Sequence, residues 1–475
     1  MVFSSLFFLY FFLPLNLIVY RLVPSIKAKN ITMLVFSLVF YAWGEPVYVL
    51  LLVLMTVADY FLSLCIDKCE PRSKRAKLFL ALTLTVNLGM LAVFKYGSFF
   101  LSNLKLLTGF PTSVPSVALP IGISFYTFQL ISYVADVYRR RVPAQKSFYM
   151  LLLYVSMFHQ CIAGPIVRYK DVYPQLVERR ATFGDISDGV WRFSFGLAKK
   201  AILANTCGSV VDNLLNQKTL ATAPALSIWV GVFAFSLQVY LDFSAYSDMA
   251  IGMGRMIGIH YNENFDYPYI SKSVTEFWRR WHISLGSFFR DYVYIPLGGN
   301  RKGKPRTFLN LFIVWTLTGL WHGASWNFVL WGLYFFLFIC LEKLFFSKIF
   351  GKNKYAPHIY LCVVVFFGWI LFKFTSVSDV LTVLKGMIGL NSNKFINFES
   401  GAVIESNIFI LLFSAVASTP IIKKAGELIT FTFIDRWWAK TAYAVGKIAL
   451  PLLLLLLSTA ALIGESYNPF LYFKF

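Results

Sequence analysis

The sequence predicts an all-α polytopic membrane protein with about ten transmembrane crossings plus re-entrant helices. Of its 475 residues, 58% are hydrophobic and only 14% are charged, whereas charged residues make up about 25% of a typical soluble domain. Many apolar runs reach the roughly 20 residues that a helix needs to span a bilayer. Because these runs lack the alternation of a transmembrane β-barrel, helices are the predicted spanning element.

The distribution of basic residues indicates where the loops lie. The formal net charge of +21 arises in short segments between apolar runs, as the positive-inside rule describes, and not in one patch of the kind that binds nucleic acid. Residues 3–20 precede the first charged residue, Arg21, without the basic segment and cleavage site of a signal peptide. We therefore expect an uncleaved first span, both termini outside, and no nucleic-acid partner.

Successive apolar runs give the order of the crossings. After the first span we expect a hairpin over 30–66 and an external loop over 98–116. Residues 254–306 are too polar to span, so we expect amphipathic helices there at the inner interface. The remaining crossings are expected at 78–97, 117–137, 187–205, 223–245, 358–375, 403–421 and 441–463.

Two further apolar segments, 147–165 and 308–341, have basic residues on both flanks. Because both flanks should lie on the same side, we predict that each segment is re-entrant, which is tolerated where the backbone is buried or lines a cavity. The second would have two legs of about 14 residues, each about 20 Å long at a rise of about 1.5 Å per residue. Its turn would place a histidine beyond the bilayer midplane.

That histidine, His322, is the first candidate catalytic residue. It lies in the string T-G-L-W-H-G-A-S-W-N, Thr318–Asn327. An ionisable side chain in an apolar segment is a functional candidate because its burial in the membrane is costly. Its neighbours Trp321, Ser325 and Asn327 are candidates for lining a tunnel or binding the donor. The alternative is a structural histidine held by a backbone carbonyl.

The second candidate catalytic residue, His282, lies in F-W-R-R-W-H, Phe277–His282. Helical spacing would place it on one face with the two tryptophans of this segment. Arg279 and Arg280 are candidate donor-binding residues because guanidinium groups suit phosphate. The alternative for both arginines is an interfacial belt of basic and aromatic side chains.

Two carboxylates follow an apolar run in D-F-S-A-Y-S-D-M-A-I-G, Asp242–Gly252. Asp248 is a candidate for a polar tunnel wall or for orienting an imidazole. The alternative is a cluster of hydrogen bonds at a helix end, and this is our expectation for Asp242.

The sequence predicts neither a metal site nor a bound cofactor. The six cysteines are scattered without a C-x-x-C motif, and no histidine lies near Cys65 and Cys69 to complete a set of ligands. The motifs of phosphate-binding loops, dinucleotide folds, zinc proteases and serine hydrolases are also absent.

The remaining features favour acyl transfer. A histidine can accept a proton from a hydroxyl group while that oxygen attacks an activated acyl group. A buried site that is poor in water protects a thioester from hydrolysis. Basic residues on the inner face would suit a phosphate-bearing donor such as coenzyme A or a phosphopantetheinyl carrier protein.

Six strings together resemble the membrane-bound O-acyltransferase superfamily, and more closely its bacterial alginate O-acetyltransferase branch. They lie within about 117–335, and the flanks match only in hydropathy. The strings are P-I-G-I-S-F-Y-T-F-Q (Pro120–Gln129), A-G-P-I-V-R (Ala163–Arg168), D-F-S-A-Y-S-D-M-A-I-G (Asp242–Gly252), E-F-W-R-R-W-H-I-S-L (Glu276–Leu285), R-D-Y-V-Y-I-P-L-G-G-N-R (Arg290–Arg301) and G-L-W-H-G-A-S-W-N-F-V-L-W-G (Gly319–Gly332).

The resemblance implies one integral-membrane domain over 1–475 with a central tunnel, in the bacterial inner membrane. His322 would be the central catalytic histidine and His282 the second, upstream position. The donor would be acetyl-CoA or an acyl carrier thioester on the cytoplasmic side. The acceptor would be an external polysaccharide or cell-wall polymer, reached directly or through an extracytoplasmic partner acyltransferase.

Three alternatives remain open at this point. A sister branch of the superfamily transfers D-alanine from a carrier protein to teichoic acid. A transporter or flippase of a cell-envelope precursor could also use broken helices and intramembrane histidines, although we see no repeat between the two halves of the chain. A scaffold for a polymer synthase is the third alternative, and it predicts that His322→Ala has no effect.

Overall fold

The computed structural model describes residues 1–109, 118–161, 164–351, 353–391, 393–433, 435–464 and 470–471, with only the backbone described for 346–348. The chain is 78% helical, and no strand occurs within these ranges. The predicted all-α class is confirmed.

The first half of the chain forms eleven α-helices within the described residues. Two π-helical turns, Ala92–Tyr96 and Lys199–Ala204, join consecutive helices without a break, and a third, Phe8–Phe12, precedes α1. The helices are α1 (Leu13–Leu22), α2 (Ile26–Gly44), α3 (Tyr48–Lys68), α4 (Lys74–Leu91), α5 (Gly97–Thr108), α6 (Ile123–Tyr138), α7 (Phe148–Ser156), α8 (Phe158–Cys161), α9 (Tyr169–Val177), α10 (Phe183–Ala198) and α11 (Asn205–Leu214).

The second half continues with ten α-helices in the described part. A π-helical turn, Arg290–Tyr294, directly follows the helix that ends at Phe289, and short 3₁₀ turns lie at Leu220–Thr222 and Pro268–Ile270. The helices are α12 (Ala225–Met256), α13 (Val274–Arg280), α14 (Ile283–Phe289), α15 (Gly303–His322), α16 (Trp326–Phe350), α17 (Ala356–Lys373), α18 (Val377–Met387), α19 (Phe398–Ala417), α20 (Ile421–Phe433) and α21 (Trp437–Leu462).

Seven helices in the described ranges are long and apolar enough to cross a membrane, and the protein is a multi-pass membrane protein. Six of them coincide with predicted crossings, whereas Trp326–Phe345 lies in the segment that was predicted to be re-entrant. The other predicted crossings fall on helices that are shorter or more polar, such as α2 and α6, so the number of ten stays a prediction. The seven are Tyr48–Lys68, Lys74–Thr108, Ala225–Met256, Trp326–Phe345, Ala356–Lys373, Phe398–Ala417 and Trp437–Leu462. The predicted orientation of the termini is not tested, and residues 472–475 lie outside the described residues.

Three local predictions need correction or qualification. The predicted external loop over 98–116 is helical as far as Thr108, because α4 and α5 form one helix of 35 residues; residues 110–117 lie outside the described residues. Segment 147–165 forms the buried helices α7 and α8, and residues 162–163 are not described. The legs around His322 are longer than predicted, with 20 residues in α15 and 25 in α16.

Close helix packing brings α10 against α12. A Cβ atom on Gly189 would lie 2.7 Å from the carbonyl oxygen of Gly252, and one on Gly196 would lie 2.9 Å from that of Ala245. Small residues at such positions allow helix backbones to approach within a membrane. This contact fixes the middle of α12, which contributes one wall of the site described below.

The hairpin of α15 and α16 is packed in the same way. A Cβ on Gly319 would lie 2.3 Å from the carbonyl oxygen of Phe328, and one on Gly332 would lie 2.3 Å from that of Trp315. Neither backbone oxygen could move away without disturbing its helix. This close approach therefore explains why glycine occupies positions 319 and 332.

Candidate active site

His322 is the last residue of α15 and only 5% of its surface is exposed. The chain leaves the helix at Gly323 in an extended conformation and enters α16 at Trp326. The imidazole packs edge-on against Trp331 and Phe372, with ring centroids 4.9 and 5.4 Å away. Helices α15, α16 and α17 thus meet at this side chain.

A small cavity adjoins His322. About 20 Å³ of it is open to the centres of water molecules, which is room for about one water. Apart from His322 and a single carboxylate, its walls are apolar. The lining residues are Val239, Asp242, Phe243, Trp281, His322, Trp331, Trp369, Phe372 and Leu471.

The carboxylate in the cavity wall belongs to Asp242, which the sequence analysis assigned to a helix end. It lies instead within the 32-residue helix α12. One oxygen forms an ion pair of 2.6 Å with Lys200, and the other accepts a hydrogen bond of 2.6 Å from the backbone N–H of Leu471. Both charged side chains are buried, so this pair is a polar element of the site that sequence reasoning missed.

His282 lies between α13 and α14 and is 2% exposed. Its backbone is left-handed, with φ 45° and ψ 56°, a conformation that is uncommon for a residue other than glycine. The predicted helical face shared with the two tryptophans is therefore wrong, because α13 ends at Arg280 and the chain turns at His282.

Asn264 holds His282 in this conformation. The Asn264 carbonyl accepts a hydrogen bond of 2.9 Å from the N–H of Ile283, and its Oδ1 lies 3.3 Å from His282 Nδ1. Ser284 donates to the same Oδ1 through both its N–H and its hydroxyl. Within the described residues Nε2 of His282 has no hydrogen-bond partner, so a tautomer protonated at Nδ1 would present a free lone pair at Nε2.

The indole of Trp321 contacts both histidines. Its ring centroid lies 5.8 Å from that of His282 and 5.0 Å from that of His322. Phe243, which lines the cavity, packs edge-on against His282 at 4.7 Å. The structure therefore brings the two candidate histidines together around Trp321.

Two other candidates brace the turn that follows His322. The hydroxyl of Ser325 donates to Oδ1 of Asn327, and Nδ2 of Asn327 donates to the carbonyl of Leu371 at 3.2 Å. These contacts tie the start of α16 to the end of α17. Neither residue lines the cavity.

The charged candidates lie in ion pairs or at the surface. Asp248 pairs with Lys199 and, at 2.9 Å, with Arg192. Arg280 pairs with Asp266 at 2.8 Å and with Glu276 at 3.0 Å, whereas Arg279 is exposed. Of these candidates, Arg279 has the accessible guanidinium that a phosphate-bearing ligand would require. The residues that the structure describes contain no group of three or more possible metal ligands.

Lys95 also approaches the site, although the sequence analysis did not single it out. Its ammonium donates to the carbonyl of Trp321 and lies 5.8 Å from the centroid of the Trp321 ring. The available signal was a lone lysine at the end of the apolar run 78–97, which resembles an ordinary boundary of a membrane span.

The sequence model of the membrane-bound O-acyltransferase family matches residues 76–381, a range that includes both histidines and Lys95. The chain belongs to this family. It is 36% identical to the probable alginate O-acetylase AlgI of Pseudomonas putida over all of both chains. It is 30% identical to the peptidoglycan O-acetyltransferase of Helicobacter pylori, covering 100% of this chain and 98% of that protein. The teichoic acid D-alanyltransferase of Bacillus subtilis is 27% identical over 54% of this chain and 67% of its own.

These comparisons confirm the resemblance stated above and make the protein a membrane-bound O-acyltransferase. The densely matching region predicted at 117–335 lies inside the matched range, which extends further on both sides. The single domain over 1–475 and the roles of the candidate residues are not tested by the comparisons and stay predictions.

Proposed function

We propose that this O-acyltransferase moves an acetyl group from a thioester donor, acetyl-CoA, across the inner membrane to a hydroxyl of an extracytoplasmic polysaccharide or cell-wall polymer. Transfer would proceed directly or through a partner acyltransferase. The observation that carries the proposal is the pair of buried histidines around Trp321 beside a cavity. The acetyl group is supported by the names of the full-length relatives, an alginate O-acetylase and a peptidoglycan O-acetyltransferase.

In this reaction His322 acts as the general base. Its imidazole accepts the proton of the acceptor hydroxyl as the oxygen attacks the acyl carbon. The new C–O bond forms, the C–S bond breaks, and the proton passes to the departing thiolate, which leaves as free CoA. His282 assists from the other side of Trp321. A cavity with room for about one water limits competing hydrolysis, and lining side chains must move to admit the thioester.

The ends of the helices around His322 support two separate approaches. Four basic residues within 301–306 surround the start of α15. This end of the helix is about 30 Å from His322 at a rise of about 1.5 Å per residue. The phosphates of the donor would bind at this end, and the exposed guanidinium of Arg279 is a separate candidate for binding them. Such a separation matches a donor that enters from one side of the membrane.

The opposite approach opens where α17 ends. Phe372 contacts His322, and the following residues, 373–375, line a polar pocket in which about 350 Å³ is open to water. Its other lining residues include the carboxylates of Asp212 and Asp379 and the amides of Asn216 and Gln217. Groups of this kind accept and donate hydrogen bonds to hydroxyls, so we assign the acceptor to this side.

Transfer of D-alanine from a carrier protein is the second candidate. The identity of 27% to the teichoic acid D-alanyltransferase of Bacillus subtilis favours it, but that similarity covers only 54% of this chain. The two candidates share the histidine chemistry and differ in the donor. The choice of donor therefore distinguishes them.

The experiment measures release of the donor thiol by the purified protein in lipid nanodiscs, with a soluble polysaccharide or cell-wall fragments present as the acceptor. The donor is acetyl-CoA or, separately, a D-alanyl-loaded carrier protein. The matched control for His322→Ala is His260→Ala, because His260 is an exposed histidine paired with Asp185. We expect CoA release that is lost in His322→Ala and kept in His260→Ala. If thiol is released only from the D-alanyl carrier protein, the transferred group is D-alanyl and not acetyl. Full release of CoA by His322→Ala would refute the catalytic role of His322.

A further inference from the structure

The long helix formed by α4 and α5 contains a π-helical turn, Ala92–Tyr96, beside the end of α15. Such turns are rare and frequently occur at functional sites. Consecutive residues of an α-helix point about 100° apart because there are about 3.6 residues per turn. Nevertheless, the consecutive residues Lys95 and Tyr96 both reach the last turn of α15.

Lys95 and Tyr96 bind two adjacent carbonyl groups there. The Lys95 ammonium donates to the carbonyl of Trp321 and, at 3.4 Å, to the hydroxyl of Ser124 on α6. The hydroxyl of Tyr96 donates to the carbonyl of Leu320 at 2.7 Å. The last four carbonyls of an α-helix lack partners within the helix, so these two side chains satisfy half of them.

The charge of Lys95 suits this position. A helix carries a partial negative charge at its C-terminus, which a cation stabilises. The ammonium is also 5.8 Å from the centroid of the Trp321 indole, within the range of a cation–π interaction. Burying a charged side chain in an apolar span is costly. The contacts of Lys95 with the carbonyl and the indole of Trp321, the residue before His322, offset part of that cost.

We propose that Lys95, together with Tyr96, is a positioning residue for the acyl-transfer reaction. By holding the last turn of α15, it fixes the Trp321 indole between the two imidazoles and aims His322 into the cavity. Lys95 does not contact the reacting groups in this proposal. The inference rests on the proposed function, because it assigns Lys95 to the alignment of the proposed base.

The test compares Lys95→Met with Lys105→Met as a matched control. Methionine is unbranched, is one heavy atom shorter than lysine and carries no charge. Lys105 is exposed on the same long helix. Tyr96→Phe removes the second hydrogen bond with little change in shape and serves if Lys95→Met fails to fold. Two quantities are measured in nanodiscs: amide hydrogen exchange in peptides covering 318–322, and kcat with donor KM for CoA release in the presence of the acceptor.

We expect faster exchange over 318–322 and a loss in kcat of roughly 10- to 100-fold for Lys95→Met, because displacing a catalytic group by about 1 Å can cost about 100-fold. Donor KM should stay within about 2-fold, and Tyr96→Phe should show a smaller loss of kcat. Lys105→Met should match the wild type in both measurements.

Unchanged exchange in Lys95→Met and Tyr96→Phe would show that these side chains do not hold the last turn of α15, whether or not the enzyme turns over. Faster exchange with unchanged kcat would overturn the positioning role and leave a purely structural contact. An equal rise in exchange throughout the protein would likewise count as general destabilisation and against the proposal. Absence of CoA release by the wild type would count against the proposed function. Hydrogen exchange would still show whether Lys95 and Tyr96 hold the last turn of α15.

Discussion

Trp321 packs its indole against the imidazole of His282, with ring centroids 5.8 Å apart. The two residues come from different segments of the chain, one from the end of α15 and one from the turn between α13 and α14. Since Trp321 is also adjacent to His322, the indole couples the conformations of the two segments. Changes that loosen either segment should therefore affect the reaction without touching the proposed base.

The support of His282 by Asn264 gives the first prediction. Asn264→Ala removes the acceptor shared by His282 and Ser284, so the left-handed turn at His282 should relax. We expect kcat for CoA release to fall by roughly 10- to 100-fold. The control Ser247→Ala removes only the partner of Asn264 Nδ2 and should reduce kcat by less than about 3-fold. Equal losses in both variants would contradict a role for Asn264 through His282.

The α15–α16 hairpin gives the second prediction. Gly332→Ala places a methyl group against the carbonyl of Trp315, and overpacking of this kind costs about 1–3 kcal/mol. We expect a lower midpoint of thermal unfolding and loss of acyl transfer. Gly446→Ala on α21 is the matched control, because a Cβ there meets nothing within 4 Å. An unfolding midpoint for Gly332→Ala equal to that of Gly446→Ala would show that the hairpin does not require the close approach.

The buried ion pair between Lys200 and Asp242 gives the third prediction. Removing one partner of such a pair costs about 3–5 kcal/mol because the other charge is left buried. Lys200→Met should therefore unfold at a lower temperature than the double variant Lys200→Met/Asp242→Asn, which leaves no net charge. Thermal unfolding in nanodiscs is measured for Lys200→Met, Asp242→Asn and the double variant. If the fall in unfolding midpoint of the double variant equals the sum of the falls in the two single variants, the two side chains are not coupled.

The two neighbouring arginines give the fourth prediction. Arg279 is exposed, so Arg279→Ala should raise donor KM several-fold while leaving kcat and the unfolding midpoint nearly unchanged. Arg280→Ala should instead lower the unfolding midpoint, since Arg280 pairs with Asp266 and Glu276. Steady-state kinetics with acetyl-CoA and thermal unfolding distinguish the two effects. Unaltered donor KM in Arg279→Ala would remove this residue from the donor site.

The class of fold and the choice of His322 as a candidate could be predicted from sequence because they depend on local signals. Apolar runs of spanning length identify membrane helices, and an ionisable residue within such a run is conspicuous. The hairpin predicted over 30–66 is present, with α2 ending at Gly44 and α3 beginning at Tyr48. The lengths of α15 and α16 were underestimated because basic flanks indicate a side of the membrane but not how far a hairpin reaches.

The missed residues depend on contacts between distant segments. Asp242 resembled a helix cap, since the apolar run ends near it, but α12 continues through it and its charge is matched by Lys200 from another helix. Lys95 resembled the end of a span, and only the π-helical turn and the position of α15 reveal its contact with Trp321. The conformation of His282 depends likewise on Asn264, 18 residues earlier in the chain.

The most direct test of histidine-dependent acetyl transfer across the membrane uses inside-out membrane vesicles from cells that produce the protein. Radiolabelled acetyl-CoA is added outside, and label is measured in polymer recovered from the lumen. We predict luminal acetylated polymer with wild type and His260→Ala, and none with His322→Ala at equal protein level. Luminal acetylation by His322→Ala at the wild-type rate would contradict the central claim.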